Sequence, residues 1–292
     1  MSAEHNHGNM KGKKLGLSIL LNLLITVAQG IGALVSGSLS LLSDALHNFS
    51  DVIALIISYI ADKLTQKEFT PEKTFGFKRA EVIAALINAT TLIVIALMIT
   101  KEAISRFNQP VEVDSFLVIV LAALSILVNA GSALLIKGEA KDNMNMRSAY
   151  LHLMSDLFSS IAVLVGGVLM HYYQVYWVDG ILSLAIAAYL IYASSGLLLK
   201  TLKVLMQFAP SDIKPKNIED RILKMDEIKN IHHIHIWQLN DKDIHFEAHI
   251  DFNNDIRLSE ATTIINTIRV MLKNEFDINH SILQPGHNGQ NV

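Results

Sequence analysis

The chain of 292 residues is 51% hydrophobic, with a mean hydropathy of +0.37. Charged residues make up 17%, against about 25% in an ordinary soluble domain, which favours a polytopic membrane protein with a soluble part attached. The net charge of −3 is too small to indicate nucleic-acid binding or a polybasic anchor, and the lack of cysteine excludes disulfides, thiolate metal sites and a cysteine nucleophile.

Six apolar segments are long enough to cross about 30 Å of hydrocarbon as helices. The first follows several lysines, as a signal peptide would, but its apolar run continues through Val35 and is interpreted as a retained helix. The predicted domains are a polar tail over 1–14, a six-helix membrane domain over 15–203 and a soluble domain over 204–292. We expect the six helices at 15–36, 39–61, 80–101, 114–136, 148–170 and 178–200.

Lysine and arginine are concentrated on one side of the predicted membrane. The N-terminal tail and the loops between helices 2 and 3 and between helices 4 and 5 are basic, whereas the opposite loops carry only Lys101 and Arg106. Since basic loops remain in the cytoplasm, both termini are expected there.

The soluble domain shows helical and then strand periodicity. "PKNIEDRILKMDEI" predicts a helix, and "NIHHIHIWQL" and "DIHFEAHIDF" alternate with period two around the turn "NDKD", which is typical of a hairpin. "LSEATTIINTIRVMLKNEF" predicts a second amphipathic helix and "INHSILQ" a last strand. The order αββαβ predicts a small α+β domain, ferredoxin-like, with helices on one face of the sheet.

Two predicted membrane helices carry a histidine and an aspartate four residues apart. His47 and Asp51 lie on one face of helix 2, and His152 and Asp156 repeat the spacing in helix 5. Both segments read Leu-His-x-x-Ser-Asp, and the two helices run in opposite directions. An inverted-topology repeat would place such motifs together near the midplane of the membrane.

Two imidazoles and two carboxylates make a four-coordinate site that suits Zn²⁺, and the two aspartates would neutralise the ion. A single intramembrane His or Asp often makes a hydrogen bond between packed helices, but two matching pairs favour a metal site. Asp44, one turn before His47, is left outside the ligand set. It either lines an exit path or bonds a neighbouring helix.

The motifs "LLSDALHNFSDV", "TFGFKRAEV", "AYLHLMSDLFSS" and "IHHIHIWQL" resemble those of the cation diffusion facilitator family, in particular its zinc-exporting branch. The resemblance covers nearly the whole chain. It implies a homodimer in the bacterial inner membrane that exchanges cytoplasmic Zn²⁺ for protons by alternating access. It also implies that the transport site consists of His47, Asp51, His152 and Asp156.

The same resemblance implies a second zinc site in the soluble domain. His232, His249 and His280 match the family's ligands there, whereas Gly286 stands where an acidic ligand is usual. The remaining histidines of the hairpin are interpreted as solvating one face of the sheet; they are His233, His235 and His245.

Other classes of function fit less well. The chain has neither GxxxxGK[ST] for a nucleotide nor HExxH for a metalloprotease, so no enzyme is expected, and no cofactor beyond transported and regulatory Zn²⁺. The main alternative is a membrane-bound zinc sensor that binds metal without transport. A proton channel that uses His-Asp relays is a third hypothesis.

Overall fold

The computed structural model describes residues 5–65, 70–109, 111–138, 144–240 and 243–287. Six long helices come first, followed by a small α+β domain. The elements are α1 (His5–Ser36), α2 (Leu39–Thr65), α3 (Ala80–Asn108), α4 (Ser115–Ile136), α5 (Met144–Tyr173), α6 (Trp177–Leu205), α7 (Pro215–Ile222), β1 (Ile228–Gln238), β2 (Ile244–Phe252), α8 (Leu258–Phe276) and β3 (His280–His287).

The six predicted membrane helices are confirmed, and most extend beyond their apolar segments. α1 begins at His5 rather than near residue 15, and α6 continues to Leu205, past the predicted boundary at 203. Within the described residues, α3 to α6 are long and apolar enough to span a membrane by length and composition alone, and α1 contributes the shorter apolar stretch Leu20–Ser36. α2 carries Asp44, His47 and Asp51 within its apolar sequence.

The chain divides into two compact units. The membrane unit contains the residues up to Ile57 and those of Ile87–Gly196. Within it α4 packs along both α1 and α5, and side chains from α1, α2, α4 and α5 meet in one apolar cluster; it includes Ala33, Leu41, Val118, Leu121, Ala122 and Val163.

The start of α2 is held by residues of other helices. Asp179 of α6 accepts hydrogen bonds from the Ser38 and Ser40 hydroxyls at 2.7 and 2.6 Å and from the backbone N–H of Leu39 at 2.7 Å. Arg106 of α3 lies 3.5 Å from the same carboxylate and donates to the carbonyl of Gly37. A helix start normally finds such acceptors in its own cap, so α2 is anchored by α6 instead.

The second unit contains Ser58–Leu86 and Leu197–Val292. Its elements follow the predicted order αββαβ, and its sheet has the order β1-β2-β3, with β1 and β2 antiparallel, as the predicted hairpin requires, and β2 and β3 parallel. Alternate residues of β2, Phe246, Ala248 and Ile250, are fully buried in one core with Ile218 of α7 and Ile268 of α8. The α+β class is confirmed; Asp241 and Lys242 of the predicted turn lie outside the described residues.

The other face of β2 is not fully open to solvent. The loop between α2 and α3 lies against it, with Lys78 Nζ 3.0 Å from a carboxylate oxygen of Asp243 and the ring of Phe75 edge-on to His245 at 5.7 Å. His245 is therefore only 5% exposed, which corrects the expectation that it solvates the sheet. Its ring also stacks on Trp237.

Candidate metal centres

The four ligand candidates of the membrane unit lie together, as the repeated motif predicts. α2 supplies His47 and Asp51, and α5 supplies His152 and Asp156. Each imidazole approaches both carboxylates: the nitrogen–oxygen distances are 3.7 and 3.9 Å for His47 and 3.4 and 3.6 Å for His152. The side chains thus form a closed ring in which acids and bases alternate.

The distances in this ring are close to those of a small-cation site, in which ligand atoms at bonds of about 2.0–2.1 Å are about 3.3–3.4 Å apart. They do not join one atom per residue, because His47 faces Asp51 with Nδ1 and Asp156 with Nε2. The side chains must therefore rearrange to bind one ion. The two imidazole rings are 6.3 Å apart, at 76°. Four buried ring atoms find no hydrogen-bond partner among the described residues: His47 Nδ1, Asp51 Oδ2, Asp156 Oδ1 and Asp156 Oδ2. Buried ligand atoms that lack partners are costly unless something binds them.

The two ends of the ring differ in exposure. His152 and Asp51 are 45% and 30% exposed, whereas His47 and Asp156 are 16% and 1% exposed. The exposed pair lies nearer the Thr65 end of α2 and the Met144 end of α5. Access to the ring is therefore from that end of the bundle.

Asp44 lies one turn beyond the buried pair and is itself fully buried. It accepts hydrogen bonds from Ser159 Oγ of α5 at 2.6 Å and from Gln29 Nε2 of α1 at 2.9 Å. Asp44 thus bonds neighbouring helices, which is one of the two roles that the sequence left open. It joins α1, α2 and α5 directly beside the ring, where the other role, lining an exit path, also remains open.

A second group of candidate ligands lies on the sheet of the other unit. His232, His233 and His249 bring one nitrogen each within 4.8 Å of one another. His232 and His249 are paired across β1 and β2, with ring centroids 5.3 Å apart. His233 stacks on His249 at 5.1 Å, although neighbours along a regular strand face opposite ways.

A β-bulge explains why His233 joins this group. The register between β1 and β2 shifts between His232 and His235, and His233 has a φ of 55°. That left-handed conformation is uncommon outside glycine, and strain of this kind is often found at binding sites. Alternation alone could not predict it; His235, which follows, is exposed as expected.

An acidic side chain lies beside this group, on β2 rather than on β3. Asp251 Oδ2 of β2 lies 3.4 Å from His232 Nε2, and Asp251 is only 6% exposed. It pairs in register with Gly286 of β3, where a Cβ atom would lie 2.9 Å from its Oδ1. The glycine that replaces the usual acid therefore makes room for this one. The sequence could have predicted Asp251 as a ligand candidate, since it follows His249 by two residues and lies on the same face of the strand.

His280 is not with these residues. Its register partner is His245, with ring centroids 4.6 Å apart, whereas His249 is paired with Gln284. Four residues of strand, about 13 Å, separate the two positions. The structure thus brings together two of the three histidines expected in this domain and adds His233 and Asp251.

Two family models match the chain. The cation efflux transmembrane domain matches residues 15–206, and the cytoplasmic domain of cation efflux proteins matches residues 210–285. A "Cadmium, cobalt and zinc/H(+)-K(+) antiporter" of Bacillus velezensis is 33% identical over the whole chain and 95% of its own length. The "Metal cation efflux system protein CzcD" of Cupriavidus metallidurans and the "Zinc transporter ZitB" of Pectobacterium atrosepticum are each 30% identical. They cover 97% and 96% of this chain and 90% and 88% of their own lengths.

Proposed function

The chain belongs to the cation efflux family of membrane transporters, and from this premise we propose that it exports Zn²⁺ from the cytoplasm in exchange for protons. It is a multi-pass membrane protein with a cytoplasmic C-terminal domain and not an enzyme. The transported ion, its ligands and the counter-ion are the proposed part. The relatives' names include zinc in two of the three cases and protons and K⁺ in one.

The observation that carries the proposal is the ring of two histidines and two aspartates. Its alternating acids and bases lie at nitrogen–oxygen distances of 3.4–3.9 Å, and several of these buried atoms find no hydrogen-bond partner among the described residues. Imidazole and carboxylate are ligands that Zn²⁺ accepts in tetrahedral geometry. The two carboxylates would balance the charge of one divalent ion inside the membrane.

Coupling to protons follows from the same ligands. A metal binds neutral imidazoles and ionised carboxylates, so protons and Zn²⁺ compete for the same lone pairs. A site that binds Zn²⁺ while it faces the cytoplasm, releases it outside and returns with protons exchanges one for the other. No separate proton path is required for this cycle.

The direction of transport is supported by the exposure of the ring. Because the C-terminal domain is cytoplasmic, α6 ends at the cytoplasmic side, and so do the Thr65 end of α2 and the Met144 end of α5. The accessible pair, Asp51 and His152, is thus the cytoplasmic pair. This conformation would load Zn²⁺ from the cytoplasm.

The experiment is flux into proteoliposomes of the full chain with an imposed pH gradient. Zn²⁺ and proton movement are followed by separate dyes, and a K⁺ gradient at equal pH is a further arm. We expect Zn²⁺ flux that depends on the pH gradient and is abolished by His47→Ala together with Asp156→Ala. Zinc binding without flux would favour a sensor, and proton flux without Zn²⁺ a proton channel.

We also propose that the cytoplasmic domain binds a regulatory Zn²⁺ through His232, His233, His249 and Asp251. The three histidines bring one nitrogen each within 4.8 Å of one another, and Asp251 adds a carboxylate oxygen 3.4 Å from His232 Nε2. The family model of this domain is that of a dimerisation domain, so a homodimer in the inner membrane with both termini cytoplasmic is the proposed assembly.

A further inference from the structure

A layer of polar side chains lies across the membrane unit next to the ring. It contains one or two residues from each of four helices: Gln29 of α1, Asp44 of α2, Ser125 of α4, and Ser159 and Ser160 of α5. Ser160 is hydrogen-bonded to Ser125 at 2.9 Å and donates to Asp44 at 3.4 Å. Ser159 is half-buried, and the other residues are 0% exposed. We call them the oxygen layer.

The oxygen layer has a fixed place along the path of the ion. Asp44 is one helical turn beyond His47, and Ser159 and Ser160 are one turn beyond Asp156. One turn further lie the apolar residues Ala33, Leu41, Leu121, Ala122 and Val163. From the cytoplasm outward, the order is therefore the ring of ligands, the oxygen layer and an apolar seal.

The charge of Asp44 has no fixed counter-charge in this layer. Every hydrogen bond that the described residues donate to it comes from a neutral side chain, Gln29, Ser159 or Ser160. A buried carboxylate that is hydrogen-bonded but not paired with a cation remains costly in a membrane. Such a site gains free energy when a cation enters.

Two buried acceptors in or beside the layer have no hydrogen-bond partner in the part of the chain that the structure describes. Gln29 Oε1 belongs to the amide that donates to Asp44, and Asn129 Oδ1 belongs to the amide that donates to Ser125 at 3.5 Å. Both residues are 0% exposed. Serine hydroxyls can also turn from donating to accepting. The layer can therefore change from a hydrogen-bonded seal into a set of oxygen ligands.

We propose that the oxygen layer is a release site, which receives the divalent cation from His47 and Asp156 when access changes to the outside. The proposal rests on the proposed export function and assigns Asp44 as its charged ligand. An all-oxygen site lacks the imidazoles that favour Zn²⁺. The ion is thus held more weakly there than in the ring, which promotes its departure.

The test is Zn²⁺ flux into vesicles whose cytoplasmic face is outward, with Zn²⁺ also placed inside the lumen. Asp44→Asn keeps the shape of the side chain and removes its charge, and the matched control is Asp114→Asn at the exposed start of α4. We expect Asp44→Asn to lower kcat by about tenfold with KM for cytoplasmic Zn²⁺ unchanged. The lumenal Zn²⁺ concentration that halves the flux should rise by about tenfold as well.

Two results would overturn the release site. One is an unchanged kcat and an unchanged inhibition by lumenal Zn²⁺ in Asp44→Asn. The other is a rise of KM in proportion to the loss of flux, since Asp44 would then act through the ring. If Asp44→Asn does not insert, Ser159→Ala decides, because unchanged lumenal inhibition in that variant contradicts the proposal. Failure of the export function itself would be visible earlier, as wild-type protein without pH-driven Zn²⁺ flux.

Discussion

The two groups of candidate ligands reach similar chemistry by different routes. In the membrane unit two helices each supply a His-Asp pair, and the spacing of four residues places both members on one face. In the cytoplasmic domain the ligands come from two strands, and one of them, His233, depends on a bulge. A ligand site on helices can be predicted from the local spacing of its residues. A site on a sheet depends on strand register and on departures from regular pairing.

The difference also concerns burial. Asp156 of the ring is 1% exposed, so water cannot replace a lost partner there. His233 on the sheet is exposed to solvent. Loss of a ligand should therefore be severe in the membrane and mild in the cytoplasmic domain.

The largest expected effect compares His152→Ala with His249→Ala. We expect the first to lower pH-driven Zn²⁺ flux by at least about 100-fold, because it removes a ligand from the path itself. The second should lower flux by no more than about threefold, since it alters only regulation. Both are measured in proteoliposomes at equal protein content; equal losses in the two variants would remove the distinction between transport and regulatory sites.

His47→Asp tests the metal preference of the ring. The change replaces the softer nitrogen ligand by a third carboxylate, which makes a larger and more anionic cage. We expect Zn²⁺ flux to persist and Cd²⁺ flux to appear, because the larger cage accommodates the larger ion. Uptake of both metals is measured at several pH values, with Asp114→Asn as control. Unaltered selectivity would mean that other residues choose the metal.

The cytoplasmic ligand set can be tested by zinc-dependent stability. At a Zn²⁺ concentration of 100 times Kd, a folded-state site adds about 2.7 kcal/mol of stability. We expect this gain to disappear in Asp251→Asn and to persist in His280→Asn, and the thermal melting of the purified protein measures it. The reverse result would restore His280 as a ligand and remove Asp251.

Gly286→Ala probes the space beside Asp251. A Cβ atom at this position would lie 2.9 Å from Asp251 Oδ1, so the carboxylate that contacts His232 must shift. We expect zinc affinity of the domain to fall by about tenfold, which corresponds to about 1.4 kcal/mol, by calorimetric titration. A matched change at the exposed Gly138, where nothing lies near an added Cβ, should have no effect. An unchanged affinity would show that the carboxylate does not bind the ion.

The smallest effect concerns His245 and pH. Burial lowers the pKa of His245 below 6.5, and the nearby His280 and Lys78 lower it further, against a smaller opposite effect of Asp243. On acidification the unfolded chain takes up the proton first, so stability that is present above about pH 6.5 is lost as the pH falls through the folded pKa. His245→Phe keeps the ring against Phe75 and should reduce this acid loss of melting temperature. His235→Phe, at an exposed position, is the control; equal slopes for both variants would contradict the assignment.

Much of the membrane unit could be predicted from sequence because its signals are local. A run of about twenty apolar residues predicts a membrane-spanning helix. The spacing of four between His47 and Asp51 places both on one face of it. The apolar length does not show where a helix ends beyond the membrane, which is why α5 begins at Met144 and α6 reaches Leu205. Nor does it show that Asp44 meets Gln29 and Ser159, since those contacts join separate helices.

The cytoplasmic domain was predictable in its order of elements but not in its site. Strand alternation placed His249 correctly opposite the core, and the cross-strand pair with His232 followed. The backbone bulge at His233 depends on pairing energies spread over two strands. The burial of His245 depends on a loop that precedes it by some 170 residues along the chain, as the separation of Phe75 and His245 shows. No local pattern carries such information.

The anchoring of α2 by Asp179 has a mechanical consequence. A sliding movement of the helix along its own axis would break several hydrogen bonds at once, whereas a tilt about Leu39 preserves them. The helix is then a lever with its pivot at the outer end. Asp51 lies twelve residues, or about 18 Å, from that pivot, so a tilt of about 10° moves it by about 3 Å. Ligands can thus be separated by a rotation too small to disturb the turn that holds the helix.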